Sequence, residues 1–144
     1  PGETLITGIG QGFFLTTPLQ LAHATSVLVN HGKIRLPRAV ATIEDPATDT
    51  SETQDSLQQE SVPIQQRANW ERVLDAMRNV VHGRRGTAKR IGKDIPFEIG
   101  GKTGTAQLFG IKQGDRYDKK NTPKHLRDHA LFISFAPIDH PAIV

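Results

Sequence analysis

Two β-compatible runs near the end of the chain limit the fold most. The first, FEIGGKTGTAQLF from Phe97 to Phe109, is broken by glycines, which weaken a strand unless something must approach its backbone closely. The second, HALFISFAPID from His129, is a plain apolar strand ended by Pro137. Between them lies GIKQGDRYDKKNTPKHLRD, a polar connection with room for a short helix. Strands joined in this way predict an antiparallel pair. Because the helical patterns lie upstream, the expected class is α+β, a sheet packed with helices, rather than a doubly wound sheet.

The helical patterns are clear. Thr17 can cap, Pro18 fits the first helical position and Gly32 follows the last turn, so a helix is predicted from Pro18 to His31. Leu21, Thr25, Leu28 and Val29 recur at helical spacing, which leaves His23 and His31 as surface or satisfied polar residues rather than metal ligands. From Arg67 to His82, Trp70, Val73, Leu74, Met77, Val80 and Val81 mark an amphipathic core helix stopped by Gly83. Trp70 and Met77 at this spacing read as core rather than as a ligand stripe. Thr87 is placed to cap a short basic helix, and Gly86-Thr87-Ala88 echoes Gly104-Thr105-Ala106 by coincidence.

The segment KIRLPRAVATIE reads as strand material interrupted by Pro37, and DPATDTSETQDSLQQESVP as a polar loop too poor in apolar residues to build a core. Its acids lack the order of a calcium-binding loop. The net charge of +3 comes from scattered residues, so nucleic acid is not an expected partner. No cysteine is present, which excludes disulfides and a thiol nucleophile. No apolar run reaches the roughly 20 residues that span a bilayer. Any membrane anchor is therefore expected outside this chain. The ends read as cut rather than finished, since HPAIV stops where a strand begins.

The stretch Gly100-Gly101-Lys102-Thr103 poses a choice. It supplies the last residues of a phosphate-binding G-x-x-x-x-G-K-[ST] loop, but the first glycine is replaced by Pro96 and the chain continues extended where a helix is needed. Gly8, Gly10 and Gly12 likewise fail as a dinucleotide fingerprint, because Phe13 stands where the last glycine belongs. The alternative is the K-T-G element of serine acyltransferases. Lys102 can bind a substrate carboxylate and polarise a serine hydroxyl. Thr103 and Thr105 can donate hydrogen bonds, and Gly104 removes the side chain that would block a substrate lying along the strand edge. A backbone N–H, best assigned to Thr105, can face the oxyanion of a tetrahedral intermediate.

K-[ST]-G alone is common, so the surroundings carry the case. GIGQG before TPLQLA, the NVV helix followed by GTA, then KTGTAQ and finally LRDHALFISFAP occur in an order that resembles the class B penicillin-binding proteins. The GTAQ.FG and LRDH pieces most resemble the elongation-specific penicillin-binding protein 2 branch. The resemblance covers nearly all of the chain. It implies a partial penicillin-binding and serine β-lactamase-like α+β domain, truncated at both ends. Residues 1–144 would be the C-terminal portion of a transpeptidase domain that cross-links peptidoglycan stem peptides ending in D-Ala-D-Ala through a serine acyl-enzyme.

On this resemblance, Lys102, Thr103, Gly104 and Thr105 bind substrate or β-lactam, Lys102 and the Thr105 N–H are catalytic, and no cofactor or metal is needed. Gly10, Gln11 and Gly12 match a family loop, which is given a structural role. The partners implied are the stem peptide, β-lactams and membrane proteins of the elongation machinery. The location implied is the periplasmic face of the inner membrane.

The departures are specific. None of Ser26, Ser51, Ser56, Ser61 and Ser134 has lysine three positions later or asparagine two later. The nucleophile, its base and the S-x-N element are thus expected upstream, and a last strand and helix downstream. His125 and His129, four apart, could share a helix face as half of a zinc site, but no third ligand is placed and polar loop residues are the better reading. Arg116 and Tyr117 would border the active-site mouth. Two rivals remain: a catalytically silent penicillin-binding-like module that holds peptide or elongation partners, and a serine β-lactamase, which lacks the GTAQ.FG and LRDH context.

Overall fold

A computed structural model describes residues 2–53, 61–108, 110, 117–118 and 120–144. The described residues open with a short helix, α1 (Gly2–Gly8), over a stretch for which the sequence pattern predicts no element, and the glycine-rich stretch after it forms turns. Helix α2 spans Pro18–Val29. Its start is a reciprocal capping box: Thr17 Oγ1 accepts from the Gln20 N–H at 3.2 Å, and Gln20 Oε1 accepts from the Thr17 N–H at 2.8 Å. The helix stops before the predicted His31 because Gly32, at φ +85°, sends its N–H back to the Val27 carbonyl.

Two expectations for the middle of the chain give way to a hairpin. Strands β1 (Thr42–Asp45) and β2 (Thr50–Thr53) pair antiparallel and are exposed throughout. Only the end of the KIRLPRAVATIE run becomes strand, and part of the expected loop pairs with it. Threonines and Ile43 favour extended backbone, while the Asp45 carboxylate accepts the Ala47 N–H at 2.9 Å and Asp49 takes a positive φ to close the turn.

Helix α3 runs over Arg67–His82, as its periodicity predicts. Met77 is buried with Val29 of α2 and Phe135, while Val81 is buried with Ala88 and Ile99. Trp70 is partly buried, and its indole N–H donates to the Leu28 carbonyl at 2.5 Å, tying α3 to α2. After α3, residues 84–90 form turns leading to a 3-10 turn at Ile91–Lys93, so the expected basic helix capped by Thr87 is absent.

Strands β3 (Gly100–Ala106) and β4 (His129–Phe135) pair antiparallel over their whole length, Gly100 opposite Phe135 and Thr105 opposite Ala130. Helices α2 and α3 pack against this pair, giving the α+β arrangement. Gly100 and Gly101 serve this packing. A Cβ on Gly100 would enter the Phe135 ring, and one on Gly101 would lie 2.8 Å from Phe132 Cζ and 2.9 Å from the Ile133 carbonyl oxygen. The Gly-Gly of the phosphate-loop echo is therefore spent beneath aromatic rings. Among the described residues, no helix is long and apolar enough to cross a membrane.

Candidate active site

The hydrogen-bond parity of β3 follows from the far side of β4. Beyond β4, the Ala136 N–H and carbonyl both bond to Ile143. Successive strand residues turn their N–H and C=O groups to opposite edges. Phe135, Ile133 and Leu131 therefore face β3, and their register partners Gly100, Lys102 and Gly104 face β4. Gly101, Thr103 and Thr105 are left with their backbone groups on the outer edge of β3. No described strand pairs with that edge.

Side chains gather along the same edge. The Lys102 ammonium donates to the Thr103 carbonyl at 2.6 Å, which holds the exposed positive charge at the outer edge. The Gln11 amide donates to the Thr105 carbonyl at 3.4 Å. Thr103 Oγ1 and Thr87 Oγ1 lie 3.0 Å apart, so the Gly86-Thr87-Ala88 turn backs onto the K-T-G strand. The echo read as coincidence thus makes contact with the motif it echoes. Gly104 differs from the other strand glycines. A Cβ there would meet only Leu131 Cβ at 3.6 Å, an ordinary contact, so internal packing does not require glycine at this position.

The strand is aimed by contacts at its base. His82 Nε2 accepts the Ile99 N–H at 3.1 Å, which joins the end of α3 to the residue before β3. Arg78 of α3 grips Glu98 with two nitrogens, one at 2.8 Å. The hydrogen bond from Arg78 is the main cause that holds the Glu98 carboxyl below its ordinary range.

Of the other candidates, His125 lies in a 3-10 turn (Lys124–Leu126) and His129 opens β4, so the two share no helix face. The Tyr117 hydroxyl accepts the Asp128 N–H at 3.3 Å, beside the end of the strand pair where Thr105 and Ala106 lie. Arg116 falls outside the described residues. His23 is satisfied by the Arg35 carbonyl and His31 by Glu71. Sequence reading assigned no site role to Gln11 or Thr87. The signal available for Gln11 was a polar residue between two glycines.

The family model described as penicillin binding protein transpeptidase domain matches residues 2–144. The chain belongs to this family. Among curated relatives, it is 38% identical over 143 residues to the peptidoglycan D,D-transpeptidase MrdA of Haemophilus influenzae. It is 33% identical over 145 residues to that of Escherichia coli K12. Each match covers 99% of this chain and 22% of the relative, so the chain spans about a fifth of their length. Among solved structures, it resembles Pseudomonas aeruginosa PBP2 in complex with WCK 5153, with TM-score 0.73 and 42% identity over 98% of this chain and 27% of that one. Helicobacter pylori PBP2 matches with TM-score 0.69 and 26% identity, over 97% of this chain and 21% of that one. The penicillin-binding transpeptidase fold thus accounts for the α+β arrangement.

Proposed function

We propose that residues 1–144 form the K-T-G part of the active site of a peptidoglycan D,D-transpeptidase. The observation that carries this reading is the outer edge of β3, where the Lys102 ammonium and the backbone groups of Thr103 and Thr105 converge. A peptide ending in D-Ala-D-Ala would lie along this edge as an added strand, its terminal carboxylate received by Lys102, Thr103 and Thr105. Gly104 leaves the approach open.

A serine from polypeptide outside residues 1–144 attacks the penultimate carbonyl. Its oxygen bonds to carbon and the proton passes to a base lysine. The Thr105 N–H donates to the developing oxyanion, a contact typically worth about 3 kcal/mol. The amide C–N bond breaks, D-alanine leaves with a proton, and an amine of a second stem displaces the serine to form the cross-link. A β-lactam acylates the same serine.

The relatives' names support this activity. By the same reading, the complete protein works at the periplasmic face of the inner membrane, held by an anchor outside this chain. There it acts with elongation-machinery membrane proteins to maintain cell shape. The test is labelling of the full-length protein with a fluorescent penicillin and mapping of the adduct. The expected result is one labelled serine outside residues 1–144, with labelling greatly slowed by Lys102→Ala. Absence of any adduct while the protein still binds stem peptide would favour the silent binding module.

A further inference from the structure

Gln11 has an arrangement that a merely structural loop residue does not need. In the segment from Gly2 to Gln20 it is the sole residue that is not exposed, whereas Phe13 and Leu15 in the same loop are 85% and 90% exposed. The chain therefore turns a glutamine inward and leaves aromatic and aliphatic neighbours in solvent. This inverts the usual order of burial.

The local backbone explains how. Gly10 and Gly12, at φ +76° and +77°, adopt the left-handed region on either side of Gln11. The Gly10 N–H returns to the Thr7 carbonyl at 2.9 Å and the Gln11 N–H to the Ile6 carbonyl at 3.1 Å, which fastens the turn to α1. At Gly12 a Cβ would lie 2.9 Å from Ile6 Cγ2, so both conformation and space call for glycine. The turn aims the Gln11 amide across a cleft of about 360 Å³, bordered by Ala106 and Gln107, onto the Thr105 carbonyl.

We propose that Gln11 is a positioning residue for acylation, acting through Thr105; this rests on the transpeptidase reading above. The N–H and C=O of one strand residue face the same edge, so a donor that holds the Thr105 carbonyl also fixes the direction of the Thr105 N–H. That N–H must point to where the oxyanion forms, and small errors of aim there are costly. An amide is required because the accepting group is a carbonyl: a carboxylate of the same shape has no proton to donate.

The test uses the full-length protein and stopped-flow acylation by a fluorescent penicillin, with the pre-acylation dissociation constant separated from the acylation rate constant. Gln11→Glu and Gln11→Ala should each lower the acylation rate constant about tenfold, less than the loss of an oxyanion donor itself. The dissociation constant and thermal midpoint should stay near the wild-type values. Acylation of Gln11→Glu at the wild-type rate overturns the inference alone. So does a loss confined to the dissociation constant or the thermal midpoint. A wild-type protein that no penicillin acylates overturns the transpeptidase reading, and this inference with it.

Discussion

Gly101 and Gly104 stand three residues apart on one strand, and internal packing calls for glycine only at the first. At Gly101 an added Cβ would press on Phe132 Cζ at 2.8 Å and on the Ile133 carbonyl oxygen at 2.9 Å, closer than real Cβ atoms come. The carbonyl is backbone and does not yield cheaply, whereas the Phe132 ring is partly exposed and can turn aside. Overpacking of this kind costs about 1–3 kcal/mol. At Gly104 the new methyl would sit 3.6 Å from Leu131 Cβ with nothing else near it, and loss of glycine's freedom in the unfolded chain contributes about 0.5–1 kcal/mol of stability.

Introduced into the full-length protein, Gly101→Ala is expected to lower the thermal midpoint by several degrees, at roughly 2–4 °C per kcal/mol for a domain of 150–250 residues. Gly104→Ala should hold or slightly raise the midpoint, yet slow acylation by a fluorescent penicillin about tenfold or more, on the proposal that the substrate backbone passes Gly104. Differential scanning fluorimetry and acylation kinetics read the two effects separately. A Gly104→Ala protein that acylates at the wild-type rate would refute the assignment of that glycine to ligand approach.

Other outcomes follow from neighbouring contacts. Thr87→Val removes the hydroxyl partner of Thr103, a bond worth about 0.5–1.5 kcal/mol, and should slow acylation roughly 2- to 10-fold with little change in stability, since Thr87 is exposed; unchanged kinetics would show the contact to be idle. Glu98 has a depressed carboxyl pKa in the fold, chiefly because Arg78 donates to it, so its contribution is present above the ordinary glutamate range and is lost as pH falls through that range and below. Urea unfolding of wild type and Glu98→Gln should therefore converge at low pH, and parallel profiles would count against the pair. The 144-residue polypeptide by itself should take no penicillin label and should aggregate instead of unfolding cooperatively. Its accessible surface of 11874 Å² far exceeds the about 7,300 Å² expected for a compact protein of this mass. Leu131 and Phe132 of β4 are 43% and 38% exposed. A soluble monomer with a single sharp unfolding transition would contradict this.

How much could be read in advance depended on whether the information was local. The α3 boundaries were legible because Trp70, Leu74, Met77 and Val81 repeat at the period of a helix and Gly83 stops it. The capping box at Thr17 and Gln20 was partly visible in the same way. The β1 and β2 hairpin was not, because its strands are polar and exposed, and turn chemistry at Asp45 and Asp49 outweighed the lack of a hydrophobic pattern. Helix α1 carried no cap and no apolar stripe. Thr87 was taken for a helix cap since its real partner, Thr103, is distant in sequence.

By itself the sequence determined the helical and strand periods, the absence of an S-x-x-K serine, and the order of motifs that placed the chain among penicillin-binding transpeptidases. Those are properties of residue types and spacings along a line. Only the tertiary structure decided which edge of β3 is open, that Gly100 and Gly101 serve packing while Gly104 does not, and that Gln11 and Thr87 meet the K-T-G strand. Hydrogen-bond parity depends on the partner strand, and side-chain contacts across a fold depend on where the backbone returns, so neither is written in the local pattern.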